Sequence, residues 1–258
     1  MKKLLLTSSS LLALMAVAPA FAADLPAQIP LKTPAIVPNP YFTWTGCYLG
    51  GQVGGGWAHT EIADVPPNNL LIGNGVVPGS LTVNTSGFLG GGQLGCNYQF
   101  ATNWMVGIEG DIVAANLSGN GNSLLGVVTS IDVKTNWVGS ATGRVGYTWN
   151  RALFYLKGGA AWAGDKYRAT DYLGSYLAAS ETRSGWTLGV GLEWAFANDW
   201  SAKLEYDYYD FGNRSVNFVP VTSIFTATPE SVDQRIQTVK LGINYRFWIG
   251  GSSVVAKY

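Results

Sequence analysis

The sequence predicts an all-β fold: an eight-stranded, antiparallel, up-and-down barrel that spans a membrane. Three observations carry it. Apolar and polar residues alternate with period two over long stretches, aromatic residues recur at two heights along the apolar face, and the connections between stretches are alternately very short and long.

The first residues are set apart from the barrel. Lys2 and Lys3 precede an apolar run from Leu4 to Ala18, followed by Ala20-Phe21-Ala22. A basic start, an apolar centre and an A-x-A site predict an export signal over 1–22. Without Lys2 and Lys3 the balance becomes 14 bases against 16 acids. Residues 23–43 carry Pro26, Pro30, Pro34, Pro38 and Pro40, which suits an extended periplasmic linker.

The barrel is expected over 44–247, with strands at roughly 44–57, 85–100, 103–116, 131–149, 152–168, 181–196, 199–212 and 233–247. Between Trp200 and Tyr208, for example, Leu204 and Tyr206 alternate with Lys203, Glu205 and Asp207. Near the end, Val239, Leu241, Ile243, Tyr245 and Phe247 alternate with Lys240, Gly242, Asn244 and Arg246. Proline cannot donate to a central ladder, and the five later prolines fall within 58–84 and 213–232, outside the strands. The short connections are Ala101-Thr102, Asn150-Arg151 and Ala197-Asn198; the long ones are about 58–84, 117–130, 169–180 and 213–232. Residues 248–258 form a C-terminal extension.

A soluble sandwich also alternates, so the faces decide. The polar face is charged in nearly every strand, with Glu109, Asp111, Asp132, Asp165, Glu181, Glu193, Glu205 and Asp207 against Lys134, Arg144, Lys157, Arg183, Lys203, Lys240 and Arg246. The apolar face carries one aromatic band beside the short turns (Trp44, Tyr98, Phe100, Trp104, Trp149, Phe154, Trp194, Phe196, Trp200, Phe247). A second band (Trp57, Phe88, Trp137, Trp162, Trp186, Tyr208) lies eight to twelve residues farther on. Ten residues at ~3.3 Å rise and ~40° tilt span about 25 Å, the height of a lipid belt between two girdles. Short turns then face the periplasm, with both termini on that side and four loops outside.

Composition excludes other classes. Glycine is abundant, at 33 of 258 residues, charged residues are only 12%, and the formal charge is zero. A nucleic-acid binder needs a basic surface, and one His with two Cys cannot make a four-ligand zinc site. Glycine runs such as Gly90-Gly91-Gly92 lack the Lys-Ser/Thr of a phosphate loop. No cofactor is expected.

An eight-stranded barrel is only wide enough for its own side chains. Near-balanced lumen charges therefore predict a paired plug made of Glu109, Asp111, Arg144, Lys157, Arg183, Glu193, Lys203, Glu205, Asp207, Lys240 and Arg246. Cys47 and Cys96 fall near the periplasmic end of antiparallel neighbours, both facing lipid, and an oxidising periplasm permits a disulfide.

Several runs are familiar together: Trp44-Thr45-Gly46-Cys47-Tyr48-Leu49-Gly50-Gly51, Gly90 to Gly95, Gly107-Ile108-Glu109-Gly110-Asp111, Leu241 to Phe247 and the tail Val254 to Tyr258. As an ensemble they resemble the alphaproteobacterial outer-membrane immunogenic β-barrel family, the small porin-family barrels, over the whole mature chain. The resemblance implies a surface antigen in the outer membrane of a Gram-negative bacterium, closed by a strand ending at Tyr245 and Phe247. Its implied surroundings are outer-membrane lipid, lipopolysaccharide and the barrel-assembly machinery, with an unknown host or environmental ligand. Alternatives remain open: a narrow porin-like channel, a ligand-binding surface protein with haem on His59, or a lipid-modifying enzyme using His59, Ser130 and Asp132.

Overall fold

A computed structural model describes residues 42–65, 79–122, 128–222 and 227–247. The expected export signal, most of the linker and the 248–258 extension lie outside these residues. The eight strands are β1 (Gly46–Asp64), β2 (Ser80–Gln99), β3 (Trp104–Asn122), β4 (Val128–Trp149), β5 (Ala152–Asp171), β6 (Tyr176–Ala195), β7 (Trp200–Pro220) and β8 (Thr228–Phe247). Each pairs antiparallel with the next, and β1 pairs with β8 to close the ring. At the seam Cys47 opposes Phe247 and Leu49 opposes Tyr245. Closure leaves no edge, as a bilayer requires.

Every strand is longer than the alternation predicts, and all eight gain the excess at the outer end. Strands of 19 to 22 residues stand about 50 Å tall at the usual rise and tilt, twice the lipid belt. The reason is a reversal of packing sense. Between the girdles Leu49, Leu94, Ile108, Leu156, Leu188 and Ile243 point outward while charges point in. Above the outer girdle Ile62, Val83, Val133, Tyr167, Leu177, Phe218 and Val232 point inward and pack as one core. A search for apolar residues on the lipid side therefore ends the strands too early.

The predicted long connection at 169–180 shrinks to a tight turn. Leu173 and Ser175 donate backbone N–H bonds of 2.9 Å to the Asp171 carboxylate, and Gly174 takes a left-handed φ of 79°. Among the short turns, Asn150 occupies the same region at φ 53°, as two-residue hairpins demand. Pro220 ends β7, and Pro229 sits near the start of β8.

Three expected placements are corrected. Trp44 is fully buried and does not join the periplasmic girdle. Period-two counting back from the inward Tyr48 puts Gly46 and Trp44 on the lumen side, and the indole is buried there. Asp132 and Lys134 face outward, because the ladder with β5 slips one residue between Thr135 and Trp137 and a bulge inverts the faces beyond it. The other aromatics of both predicted bands face outward, Phe88 the most exposed of them.

Candidate functional site

The lumen between the girdles is filled by one charged network, assembled from inward positions on β3, β4, β5, β6, β7 and β8. Lys157 is its hub. Its Nζ lies 2.8 Å from Glu205, 3.1 Å from Glu109 and 3.4 Å from Asp207. Lys203 reaches Glu205 at 3.3 Å and Glu109 at 3.4 Å. Lys240 reaches Asp207 at 2.7 Å, Glu205 at 3.1 Å and Asp111 at 3.6 Å. Arg144 completes the set at 3.4 Å from Glu109 and 3.8 Å from Glu193. All nine side chains are buried. An unpaired charge in such a place is too costly to keep, and here each carboxylate meets at least one cation.

Neutral groups take up much of the remaining bonding capacity. Tyr48 donates to Glu109 at 2.6 Å and Tyr155 to Glu205 at 2.7 Å. Ser140 donates to Asp111 at 2.9 Å, Asn244 to Glu193 at 2.8 Å, and Ser201 also donates to Glu193. The Arg144 guanidinium donates to Asn97 and lies between the Tyr48 and Tyr155 rings, 4.7 and 5.0 Å from their centroids. Those two rings fit because their neighbours are glycine. A Cβ on Gly95 would collide with the Tyr48 hydroxyl, and one on Gly191 with the Tyr155 ring.

Two members of the predicted network stand apart from it. Arg183, above the outer girdle, donates to the Val232 carbonyl at 2.6 Å and the Gly212 carbonyl at 2.8 Å. It bridges β6 and β8 across a stretch where the β6–β7 ladder stops at Ala178 and resumes at Trp186. Arg246 closes the periplasmic end. It donates to the carbonyls of Thr43 and Asn198 and lies over the Phe42 ring at 4.3 Å and the Trp44 ring at 5.2 Å. Trp44 packs there with Met105, Leu153, Tyr155 and Ala195. Cys47 and Cys96 stand directly opposite each other and are disulfide-bonded.

The sequence reading missed Tyr48, Tyr155 and Asn97 as lumen residues, and placed Asn244 on the polar face without giving it a role in the network. Parity would have found the first three, since Tyr48 and Asn97 alternate with the lipid-facing Cys47 and Cys96, and Tyr155 is two residues from the inward Lys157. The rim alternative is not assembled. His59 faces outward on β1, 2.9 Å from Asn84, whereas Ser130 and Asp132 lie on β4, with β2 and β3 between.

Above the belt a second pair of carboxyls matters. Glu230 on β8 opposes Asp64 on β1, and both are buried at the outer rim. Burial, first, and the facing Asp64 carboxylate push the Glu230 carboxyl up to about 8.

A family model described as the outer membrane protein beta-barrel domain matches residues 8–247. The chain is 34% identical to the 31 kDa outer-membrane immunogenic protein of Brucella melitensis, over 96% of this chain and 100% of that one. It is 30% identical to a 22 kDa outer membrane protein of Rhizobium leguminosarum, covering 81% of each. The crystal structure of the outer membrane protease OmpT from Escherichia coli superposes with a TM-score of 0.50 at 8% identity, covering 81% of this chain and 99% of that one. At that identity the likeness shows the fold alone.

Proposed function

From the premise that this chain belongs to the outer membrane protein beta-barrel domain family, we propose that it is a plugged surface barrel, structural and antigenic in role. It strengthens the envelope and presents four outer loops. The relatives named immunogenic outer-membrane proteins support the antigenic part, and the same names support a non-enzymatic role. The observation that carries the reading is the lumen hub: one lysine held by three carboxylates on β3 and β7, which it meets across the lumen. A permeation path through this section would have to break those pairs in a low-dielectric interior. Lipopolysaccharide in the outer leaflet and the barrel-assembly machinery are the partners that such a protein meets. The export signal over 1–22 and the periplasmic position of both termini belong to the same reading.

Two measurements test it. Purified barrel in planar bilayers is expected to give no large, steady conductance; such a conductance overturns the plug. A protease-cleavable tag inserted between β1 and β2 is expected to be cut on intact cells. One inserted at Asn150 is expected to be spared, and the reverse pattern overturns the orientation.

A further inference from the structure

Outward-facing charge above the outer girdle is unevenly spread around the ring. On β1 and β8 it is mixed: Glu61 opposes Asp233, and Arg235 pairs with Asp233 at 3.5 Å. On β4 and β5 it is basic. Lys134 on β4 directly opposes Lys166 on β5, and two residues up Asp132 opposes Arg168. Like charges directly opposed across a ladder repel. Among the described residues, no carboxylate makes an ion pair with Lys134, Lys166 or Arg168. The acid that lines the same groove, Asp132, is matched in register by Arg168, whose guanidinium also lies over Tyr176 at 4.4 Å. The small residues Ala178, Ala179 and Ser180 of β6 leave a groove of about 620 Å³ beside these cations.

Height identifies what fills it. Trp137 and Trp162 mark the outer edge of the lipid belt on the same two strands, and Lys166 lies four residues beyond Trp162. That is about 10 Å along the barrel axis at the usual rise and tilt. Long cationic side chains there sit at the headgroup layer, with their stems against the apolar wall. We propose that Lys134, Lys166 and Arg168 form a docking site for the phosphorylated headgroup of an outer-leaflet glycolipid. The phosphate supplies the anion that the opposed lysines lack, and the groove over β6 receives the sugar. This rests on the reading above that places this end of the barrel in the outer leaflet.

The test uses the full chain in detergent micelles with bisphosphorylated lipid A, its dephosphorylated form, and inorganic phosphate as competitor. Bound glycolipid is counted by native mass spectrometry. Wild type is expected to hold the bisphosphorylated form and not the dephosphorylated one. The K134Q/K166Q/R168Q variant is expected to lose on the order of a hundredfold in affinity, at roughly fivefold per cation near an anionic surface. Asp132→Asn is expected to tighten binding, and Arg235→Gln on the opposite side to leave it unchanged. Heat-modifiable migration in SDS confirms that each variant is folded. Equal binding by a folded triple variant, or by the dephosphorylated lipid, overturns the site. Displacement of the glycolipid by millimolar inorganic phosphate would assign the patch to free phosphate and likewise overturn it. The tag experiment reads orientation separately, so a reversed barrel defeats the earlier reading and a correctly oriented barrel without binding defeats only this one.

Discussion

The belt section and the outer section of this barrel share the same eight strands and pack them in opposite senses. In the belt, Leu94, Leu156 and Ile243 face outward and Lys157, Glu109 and Glu205 face inward. In the outer section, Ile62, Val133 and Phe218 face inward while Lys166, Arg168 and Glu61 face outward. The ring is continuous, so the surrounding solvent accounts for the exchange. Where lipid surrounds the wall, apolar side chains are needed outside, and the narrow interior is filled by charge satisfied pair by pair. Where water surrounds it, the usual apolar core returns. A charged core and an apolar core differ in how they fail: losing one partner strands a charge in the first and leaves a cavity in the second.

That contrast can be broken at either end. The largest effect is expected for Lys157→Met, which removes a cation shared by three carboxylates and costs about 3–5 kcal/mol. Urea unfolding in phospholipid vesicles should show loss of stability for the whole barrel. Phe218→Ala deletes a ring from the outer core and costs about 3–5 kcal/mol at most, confined to the outer section. Hydrogen exchange should rise in the outer ends of β7 and β8 and stay low beside Lys240. Gly191→Ala sharpens the role of the Tyr155 ring; overpacking there should cost about 1–3 kcal/mol by displacing the hydroxyl that holds Glu205.

The smallest effect concerns pH. The Glu230 carboxyl is raised in the fold from 4.5 to about 8, so the folded state binds this proton more tightly than the unfolded chain. Its contribution is fully present below about 4.5 and is lost as pH rises through about 8. Amide protection at the outer ends of β1 and β8, after allowance for the base-catalysed intrinsic rate, should therefore fall between those values. Glu230→Gln should flatten that dependence, and an unchanged profile would remove Glu230 as its source.

Much of this architecture is legible in the sequence because period two survives through the belt section of the strands and the girdles mark where lipid begins and ends. The outer section was lost because its alternation has the opposite sign, as at Ile62 and Glu61. The faces of Asp132 and Lys134 were lost to one extra residue near Asn136, which leaves no compositional trace. Lumen charges were legible by parity, but their partners were not. Lys157 on β5 meets Glu109 on β3 and Glu205 on β7, each two strands away, and such contacts across the lumen depend on stagger and bore rather than on neighbouring register. Arg183 shows the same limit, since its partners are backbone carbonyls exposed by an interrupted ladder.

The covalent tie between Cys47 and Cys96 bears on fidelity of alignment. A slip of one residue between β1 and β2 would turn one strand over against the other, sending either Tyr48 and Gln52 or Gln93 and Asn97 from the lumen to the lipid. Glycine-rich strands guard poorly against such a slip, because many of their side chains weigh the same on either face. With the two sulfurs joined, β1 offers β8 a template already in frame. The inward Lys240 and Arg246 of β8 then meet, at Gly54 and Tyr48, a strand whose own facing is already fixed.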